Sequence, residues 1–248
     1  MPLLRSRLLP QLQALLDLLL PPACPLCGAN LPQGPDQPPL CPACLAGIRP
    51  LESPCCPRCA LPYPAEEGTD HLCEPCLRRP PPFAWVAALG LYMGTLQSAV
   101  QRLKFSGAIG LDRPLASLLA DRFTDQVREF EPDLLLPVPL HRDRLRRRSY
   151  NQSLLIARVL GRRWGVPVAC RSLVRTRDTP PQQALKADIR QRNLQGAFRL
   201  LGPLAGERVI LVDDVMTTGA TARECSRVLL TGGASAVAVT VLARTPRP

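Results

Sequence analysis

Two carboxylates and three hydroxyls crowd around one glycine in the stretch Arg208 to Thr221, RVILVDDVMTTGAT. Val209 to Val212 is a short apolar, β-branched run bounded by charge, which predicts a buried strand with Asp213 and Asp214 at its carboxyl end. Thr217, Thr218, Gly219, Ala220 and Thr221 then turn toward a helix. A strand feeding a small-residue loop that opens a helix is a phosphate cradle, because unpaired backbone N–H groups and the positive helix end converge on one anion. Gly219 lets the backbone come close, and the threonines add hydroxyl donors. The two carboxylates would repel a phosphate, so they belong beside it, on sugar hydroxyls or a hydrated Mg²⁺. A phosphate, two hydroxyls and a metal within one loop's reach describe a ribose 5-phosphate. An ordinary strand–turn–helix with an acidic edge is the alternative; strand, acid pair, loop and helix in this order favour the cradle.

A second kind of chemistry lies near the amino end. Nine of the 11 cysteines fall between Cys24 and Cys76. Cys24-x₂-Cys27 and Cys41-x₂-Cys44 are repeated 32 residues later as Cys56-x₂-Cys59 and Cys73-x₂-Cys76. A C-x₂-C turn presents two thiolates to one metal, and two such turns complete a tetrahedron. The spacing points to two Cys₄ zinc sites, one per repeat, with a cross-braced pairing as the alternative. Disulfides are disfavoured because nothing sends the chain to an oxidising compartment, and paired knuckles suit zinc better than an iron–sulfur cluster. All-thiolate sites leave no open position, so the zinc reads as structural; in so short and proline-rich a module it supplies folding free energy on the order of 10 kcal/mol per site. Cys55, Cys170 and Cys225 are left over, with Cys225 on the buried face of the helix after the loop.

The elements that carry these groups differ in composition. Residues 1 to 82 hold 19 of the 29 prolines and a net charge of −1, whereas residues 83 to 248 carry +12. The excess is arginine, since Lys104 and Lys186 are the only lysines. A basic domain beside a neutral one suits a polyanionic ligand, pyrophosphate or nucleic acid. Aromatic residues make up 4% of the chain, so any base-stacking platform is thin. No stretch is apolar enough to span a membrane. Residues 1 to 20 fail as a signal peptide, with Pro10, Gln11, Gln13 and Asp17 interrupting the leucines. Leu12, Leu15, Leu16 and Leu19 share one face of a short amphipathic helix.

Beyond the linker Arg78 to Pro82, strands are expected at Trp85–Tyr92, Leu134–Pro139, from Leu173 and at Ala236–Leu242. Helices are expected at Leu96–Leu103, Pro114–Phe123, Leu154–Trp164 and through Val228. His141 to Arg148, HRDRLRRR, reads as an arginine-rich loop at a strand's carboxyl end, where parallel sheets bind ligands. Arg148, Asn151 and Gln152 are its candidate ligand contacts, with guanidinium forks suited to pyrophosphate oxygens. Thr179 to Phe198 is polar and basic, as a mobile lid would be, with Lys186, Arg190 and Arg192 as cations to close over phosphates; Arg190 is the catalytic candidate.

The loop resembles the phosphoribosyl-pyrophosphate (PRPP) loop of type I phosphoribosyltransferases. The resemblance implies that Asp213 and Asp214 hold the ribose 2′ and 3′ hydroxyls, and that the Thr217–Thr221 backbone holds the 5′-phosphate. Over nearly its full length the chain resembles the competence protein F (ComF) family. The matching pieces are the doubled C-x₂-C module, PVPLH followed by R-x-Y-N-Q, T-P-P-Q-x₂-L-x₄-R-x₂-N-x₂-G-A-F, and VDD-x₂-TTGAT. Ser149 departs from the glycine usual there. The implied fold is α/β, a phosphoribosyltransferase-like parallel sheet flanked by helices with a small double zinc ribbon. Its segments would be a lead-in at 1–22, the ribbon at 23–79 and the sheet domain at 83–248. The resemblance further implies structural Zn²⁺, Mg²⁺ with PRPP, and a cytoplasmic role in natural transformation. Two functions are expected from this: transfer of a phosphoribosyl group from PRPP to an unidentified acceptor, or handling of single-stranded DNA under PRPP or nucleotide control, with other competence or DNA-processing proteins as partners.

Overall fold

The central strand of the sheet is nine residues of almost pure apolar sequence, Ala236–Arg244, buried on both faces. Such a strand can only sit between covered layers, which is how parallel sheets are built. A computed structural model describes residues 21–32, 39–64, 68–177 and 194–246. The expected helix over residues 1–20, and Lys186, Arg190 and Arg192 of the expected lid, lie outside the described residues. The chain divides into two compact units, Met1–Gly47 and Ile48–Pro248. The dividing line falls inside the doubled cysteine stretch, so the second repeat belongs to the same body as the sheet.

In the first unit the only helix among the described residues is α1 (Pro42–Ala46), begun by Pro42 in its first turn. The second unit opens with its counterpart 32 residues on, α2 (Glu74–Arg78). Then follow β1 (Val86–Leu91), α3 (Gly94–Phe105), α4 (Asp112–Phe130), β2 (Leu134–Pro137), α5 (Arg142–Arg148), α6 (Gln152–Trp164), β3 (Leu173–Arg175), β4 (Phe198–Leu200), β5 (Arg208–Met216), α7 (Ala220–Thr231) and β6 (Ala236–Arg244). The order in the main sheet is β1-β6-β5-β2, all parallel. An isolated parallel bridge between Leu135 and Val168 extends its edge.

Side-chain alternation divides the sheet into two cores. Val86, Val209, Leu211, Val237, Val239 and Val241 pack with Cys225 and Leu229 of α7 and with Cys56, Cys59, Cys73 and Cys76. Ile210, Val212, Ala238 and Leu242 are equally buried on the other side, under α3, α4 and α6. The second cysteine repeat is thus a wall of the sheet's own core. At Gly90 the Arg49 carbonyl comes so close that a Cβ would lie 2.3 Å from its oxygen; no other residue fits that crossing.

Two expectations change. The arginine-rich stretch after β2 is not a loop but the helix α5, capped at its start by His141. Asp143 in the first turn and Arg146, Arg147 and Arg148 in the last match the helix dipole at both ends. The strand before the glycine loop runs past Val212 to Met216, so the acid pair lies inside it, two residues short of its end, rather than following it. The other expected elements fall where the periodicity puts them, with α4 longer than expected, reaching Phe130 across a kink at Phe123. β4, antiparallel to β3, lies outside the expected strands, and the end of the stretch read as a lid is core, with Leu194, Ala197 and Phe198 buried.

Candidate functional site

Alternation along β5 sends its two carboxylates different ways. Asp214 continues the register of Ile210 and Val212 and is buried at 4% exposure, while Asp213 keeps partial access to solvent. Asp214 is met by the ends of two helices. Lys104, in the last turn of α3, places Nζ 2.8 Å from Asp214 Oδ1. Gln152, first residue of α6, donates from Nε2 to Asp214 Oδ2. Gln152 is oriented in turn by Arg148, whose Nη1 donates to Gln152 Oε1 at 2.7 Å. Ser153 Oγ donates to Asp213 Oδ1 at 3.1 Å, and the Asp214 N–H donates to the same oxygen at 2.9 Å. Burial, and then the Asp214 carboxylate beside it, push the Asp213 carboxyl up to about 7, against the pull of Lys104 and of its two hydrogen bonds. Two acids this close resist double ionisation unless a cation joins them.

The loop that follows is built to present backbone. Thr217 and Thr218 are exposed, Gly219 and Ala220 are buried, and Thr221 is half-buried in the first turn of α7. Gly219 takes φ 78°, the left-handed region that glycine enters freely. The Thr218 hydroxyl accepts from the Ala220 N–H at 3.4 Å. Buried Arg244 fixes the loop's entrance, donating to the carbonyls of Met216, Thr217 and Thr245. Its Nε also reaches the carbonyl of Cys59 at 3.0 Å.

The cysteine knuckles repeat in three dimensions as in sequence. In each set the four thiol sulfurs lie within 4.8 Å of one another, as Cys24, Cys27, Cys41, Cys44 and as Cys56, Cys59, Cys73, Cys76. This is the sequential pairing, not the cross-braced one. Cys27 and Cys41 sulfurs are 3.5 Å apart, and Cys59 and Cys73 sulfurs 3.6 Å. A zinc bound at about 2.3 Å by four tetrahedral thiolates separates them by about 3.8 Å, so both sets fit Zn²⁺. Left-handed backbone recurs at Gly28 and Ala60, 32 residues apart. Burial raises the Cys24 thiol, but the N–H groups of Cys41, Cys27 and Leu26 outweigh it and bring it down to about 6. The corresponding donors at Cys73, Cys59 and Arg58 bring Cys56 to about 7. These two sulfurs are set up as thiolates, the form that binds metal.

Two families of known proteins match parts of the chain, the double zinc ribbon domain over residues 15–77 and the phosphoribosyl transferase domain over residues 150–248. A protein named DNA utilization protein YhgH, from Escherichia coli K12, is 38% identical over 173 residues, covering 68% of this chain and 76% of that protein. Competence protein F of Haemophilus influenzae is 36% identical over 175 residues, with the same coverage of 68% and 76%. The chain belongs to the competence protein F family. Among solved structures, a purine phosphoribosyltransferase from Pyrococcus horikoshii is similar at 20% identity, with a TM-score of 0.34, over 52% of this chain and 73% of that one.

The family's usual glycine before the aromatic-Asn-Gln has a physical reason here. Ser149 sits at φ 65°, ending α5 in a left-handed turn that a side chain enters only at a cost. Of the residues around it, Gln152 meets Asp214 directly and Arg148 meets Gln152. Asn151 does not face the same way. Its side chain caps α6 by accepting from the Ser153 N–H at 3.0 Å and donates to the Val138 carbonyl at 3.0 Å, which fixes the α5–α6 corner. Lys104, Ser153 and Arg244 were not singled out from sequence. Lys104 carried the one available signal, as one of two lysines in an arginine-rich chain. Nothing in the sequence marks Arg244, whose partners lie 28 and 185 residues away.

Proposed function

We propose that this ComF-family chain binds Mg²⁺-PRPP at the end of β5 and transfers or senses its 5-phosphoribosyl group in the handling of DNA taken up by the cell. The observation that carries this is the acid pair near the carboxyl end of β5, separated only by Val215 and Met216 from an exposed Thr217–Thr218 turn and the start of α7. In this reading the Thr217–Thr221 amides and hydroxyls receive the 5′-phosphate, and Asp213 and Asp214 receive the ribose 2′ and 3′ hydroxyls. Lys104 and Gln152 hold Asp214 in place. Mg²⁺ supplies charge to the pyrophosphate oxygens. In transfer, the C1–pyrophosphate bond breaks with its electron pair leaving on pyrophosphate, and a lone pair of the acceptor forms the new bond at C1. Arg148, and Arg190 from the lid, carry positive charge toward the departing group, where fixed charge contributes most. In this reading the work is done in the cytoplasm, and no helix among the described residues is long and apolar enough to cross a membrane.

Calorimetric titration with Mg²⁺-PRPP tests the reading. The wild-type chain is expected to bind one equivalent, and Asp213→Asn/Asp214→Asn to lose at least a hundredfold in affinity with its zinc content unchanged. Equal binding by both proteins removes these roles.

A second reading is favoured by α5. It carries five arginines in seven residues, with Arg142, Arg146 and Arg147 exposed, and its last guanidinium lies 5.3 Å above the ring of Phe105, which is 69% exposed. A basic helix beside an exposed aromatic suits the backbone and bases of single-stranded DNA. Its affinity is expected to fall steeply with salt, and Arg142→Gln/Arg146→Gln/Arg147→Gln to flatten that slope by about two to three. A triple variant with the wild-type slope rejects α5 as the contact.

A further inference from the structure

Arg244 ends the central strand, yet it is only 4% exposed. Its backbone is held on both sides, in register with Leu91 on β1 and Met216 on β5. Its guanidinium is a polar fork between two sites that otherwise meet through apolar packing. Nε donates to the carbonyl of Cys59, the second thiol of the second Cys₄ set, at 3.0 Å. Nη1 donates to Met216 at 3.0 Å and to Thr217, the two residues through which β5 becomes the loop.

The geometry has a consequence for the loop. A trans peptide keeps its C=O and N–H on opposite sides of one rigid plane. The Met216 carbonyl also accepts from the Thr245 N–H at 3.0 Å, so the sheet shares in setting the Thr217 amide; the Thr217 carbonyl, drawn toward Arg244, turns the N–H of Thr218 away from it. The far end of the fork depends on metal. The Cys56–Cys59 knuckle is shaped by its ligands closing on one ion, and four thiolates around Zn²⁺ carry a net charge of about −2, which draws the guanidinium. Without the ion, the buried thiols spread and the Cys59 carbonyl loses its fixed direction. Arginine is the residue for this task, since its planar fork binds several acceptors at set angles where a lysine offers one point charge.

We propose that Arg244 is a positioning residue that couples the metal of the second Cys₄ site to the amides of the Thr217–Thr221 turn, so that the phosphate cradle takes its binding shape only when that site is loaded. This rests on reading the turn as the 5′-phosphate site, and it makes the second ribbon a control element for ligand binding in addition to a piece of core. The first Cys₄ site, in the Met1–Gly47 unit, has no part in it.

The test uses the full chain with two independent readouts. Hydrogen exchange reports the amides of residues 216–222, and calorimetry reports Mg²⁺-PRPP affinity. Zinc content is measured on every sample. Arg244→Met is expected to keep both zinc ions, to exchange those amides at least tenfold faster, and to bind PRPP at least tenfold more weakly. Partial zinc removal from the wild-type chain is expected to produce the same acceleration, and none further in Arg244→Met. Arg244→Lys, which keeps the charge and the fold but not the fork, is expected to show the accelerated exchange and weakened binding with both ions bound. Wild-type exchange in Arg244→Lys, or acceleration in Arg244→Met that adds in full to that of zinc removal, overturns the coupling. Failure of the wild-type chain to bind PRPP while the exchange results stand would remove the ligand reading and leave the coupling intact.

Discussion

Replacing Lys104 with methionine keeps its length and removes its charge, which isolates what the ammonium does for the acid pair. The Lys104 side chain is 19% exposed and that of Asp214 5%, with 2.8 Å between the charges. Taking one partner from a pair this enclosed leaves the other without compensation, at about 3–5 kcal/mol. The penalty depends on pH, and its sign follows from Asp213. Its carboxyl titrates near 7 in the folded chain, above its ordinary 3.8. The folded state therefore holds a proton that the unfolded chain has released, and native stability falls as pH rises from about 4 to about 7. Below that upper limit Asp213 holds its proton; above it Asp213 adds a second negative charge beside Asp214, and Lys104 matters most. Losing the ammonium moves the Asp213 titration higher still, at about 1.4 kcal/mol for each unit of displacement. Lys104→Met is then expected to destabilise by about 3 kcal/mol at pH 5.5 and about 5 kcal/mol at pH 8.5. Urea unfolding with zinc present measures this through Trp85 and Trp164, the only tryptophans, both in the Ile48–Pro248 unit. Adding Asp214→Asn should recover most of the loss at pH 8.5. A loss equal at both pH values, or below about 0.5 kcal/mol at pH 8.5, refutes the electrostatic account, because a packing defect alone has no such pH dependence.

Gly219→Ala meets both a left-handed backbone and a Met216 Cε 2.6 Å from the new Cβ. Met216 can swing aside, so thermal unfolding should show a loss of only about 1–2 kcal/mol, while PRPP affinity falls by far more. Ser149→Gly should stabilise by about 0.5–1 kcal/mol by relieving the φ 65° turn after α5, read as a raised urea midpoint; a lowered midpoint denies the strain. Metal analysis should find two zinc ions per chain, and Cys76→Ser should leave one. The same variant should lower the tryptophan unfolding transition by several kcal/mol, because Cys76, 2% exposed, packs in the sheet's own core and structural zinc contributes on the order of 10 kcal/mol. An unchanged transition would detach the second ribbon from the sheet's stability.

What was legible in this sequence was whatever lies close together along the chain. The doubled C-x₂-C spacing marked all eight ligands and favoured the sequential pairing, since each set closes within 21 residues, but the cross-braced alternative was excluded only by the structure. The apolar runs at Leu134 and Ala236 announced strands buried on both faces, and Gly219 announced its own backbone. Composition misled at Arg142 to Arg148. A dense run of arginines reads as solvated loop, but the stretch has Asp143 at its start and cations at its end, and the dipole and the His141 cap make it a helix.

What was not legible depends on contacts between distant segments. Lys104 reaches Asp214 because the last turn of α3 comes to the carboxyl-terminal part of β5, a fact of topology with no local signature. Arg244 is the stronger case. As sequence, a charged residue after a buried strand is an ordinary exposed strand end. Its burial follows from the second cysteine repeat packing over that end, which supplies the Cys59 carbonyl, and from the turn of β5, which supplies two more. A guanidinium enclosed in this way is tolerable only because backbone oxygens satisfy its donors. The residue therefore exists as a buried group only if ribbon and loop are both in place, and the same bonds that make its burial affordable make each of them answer to the other.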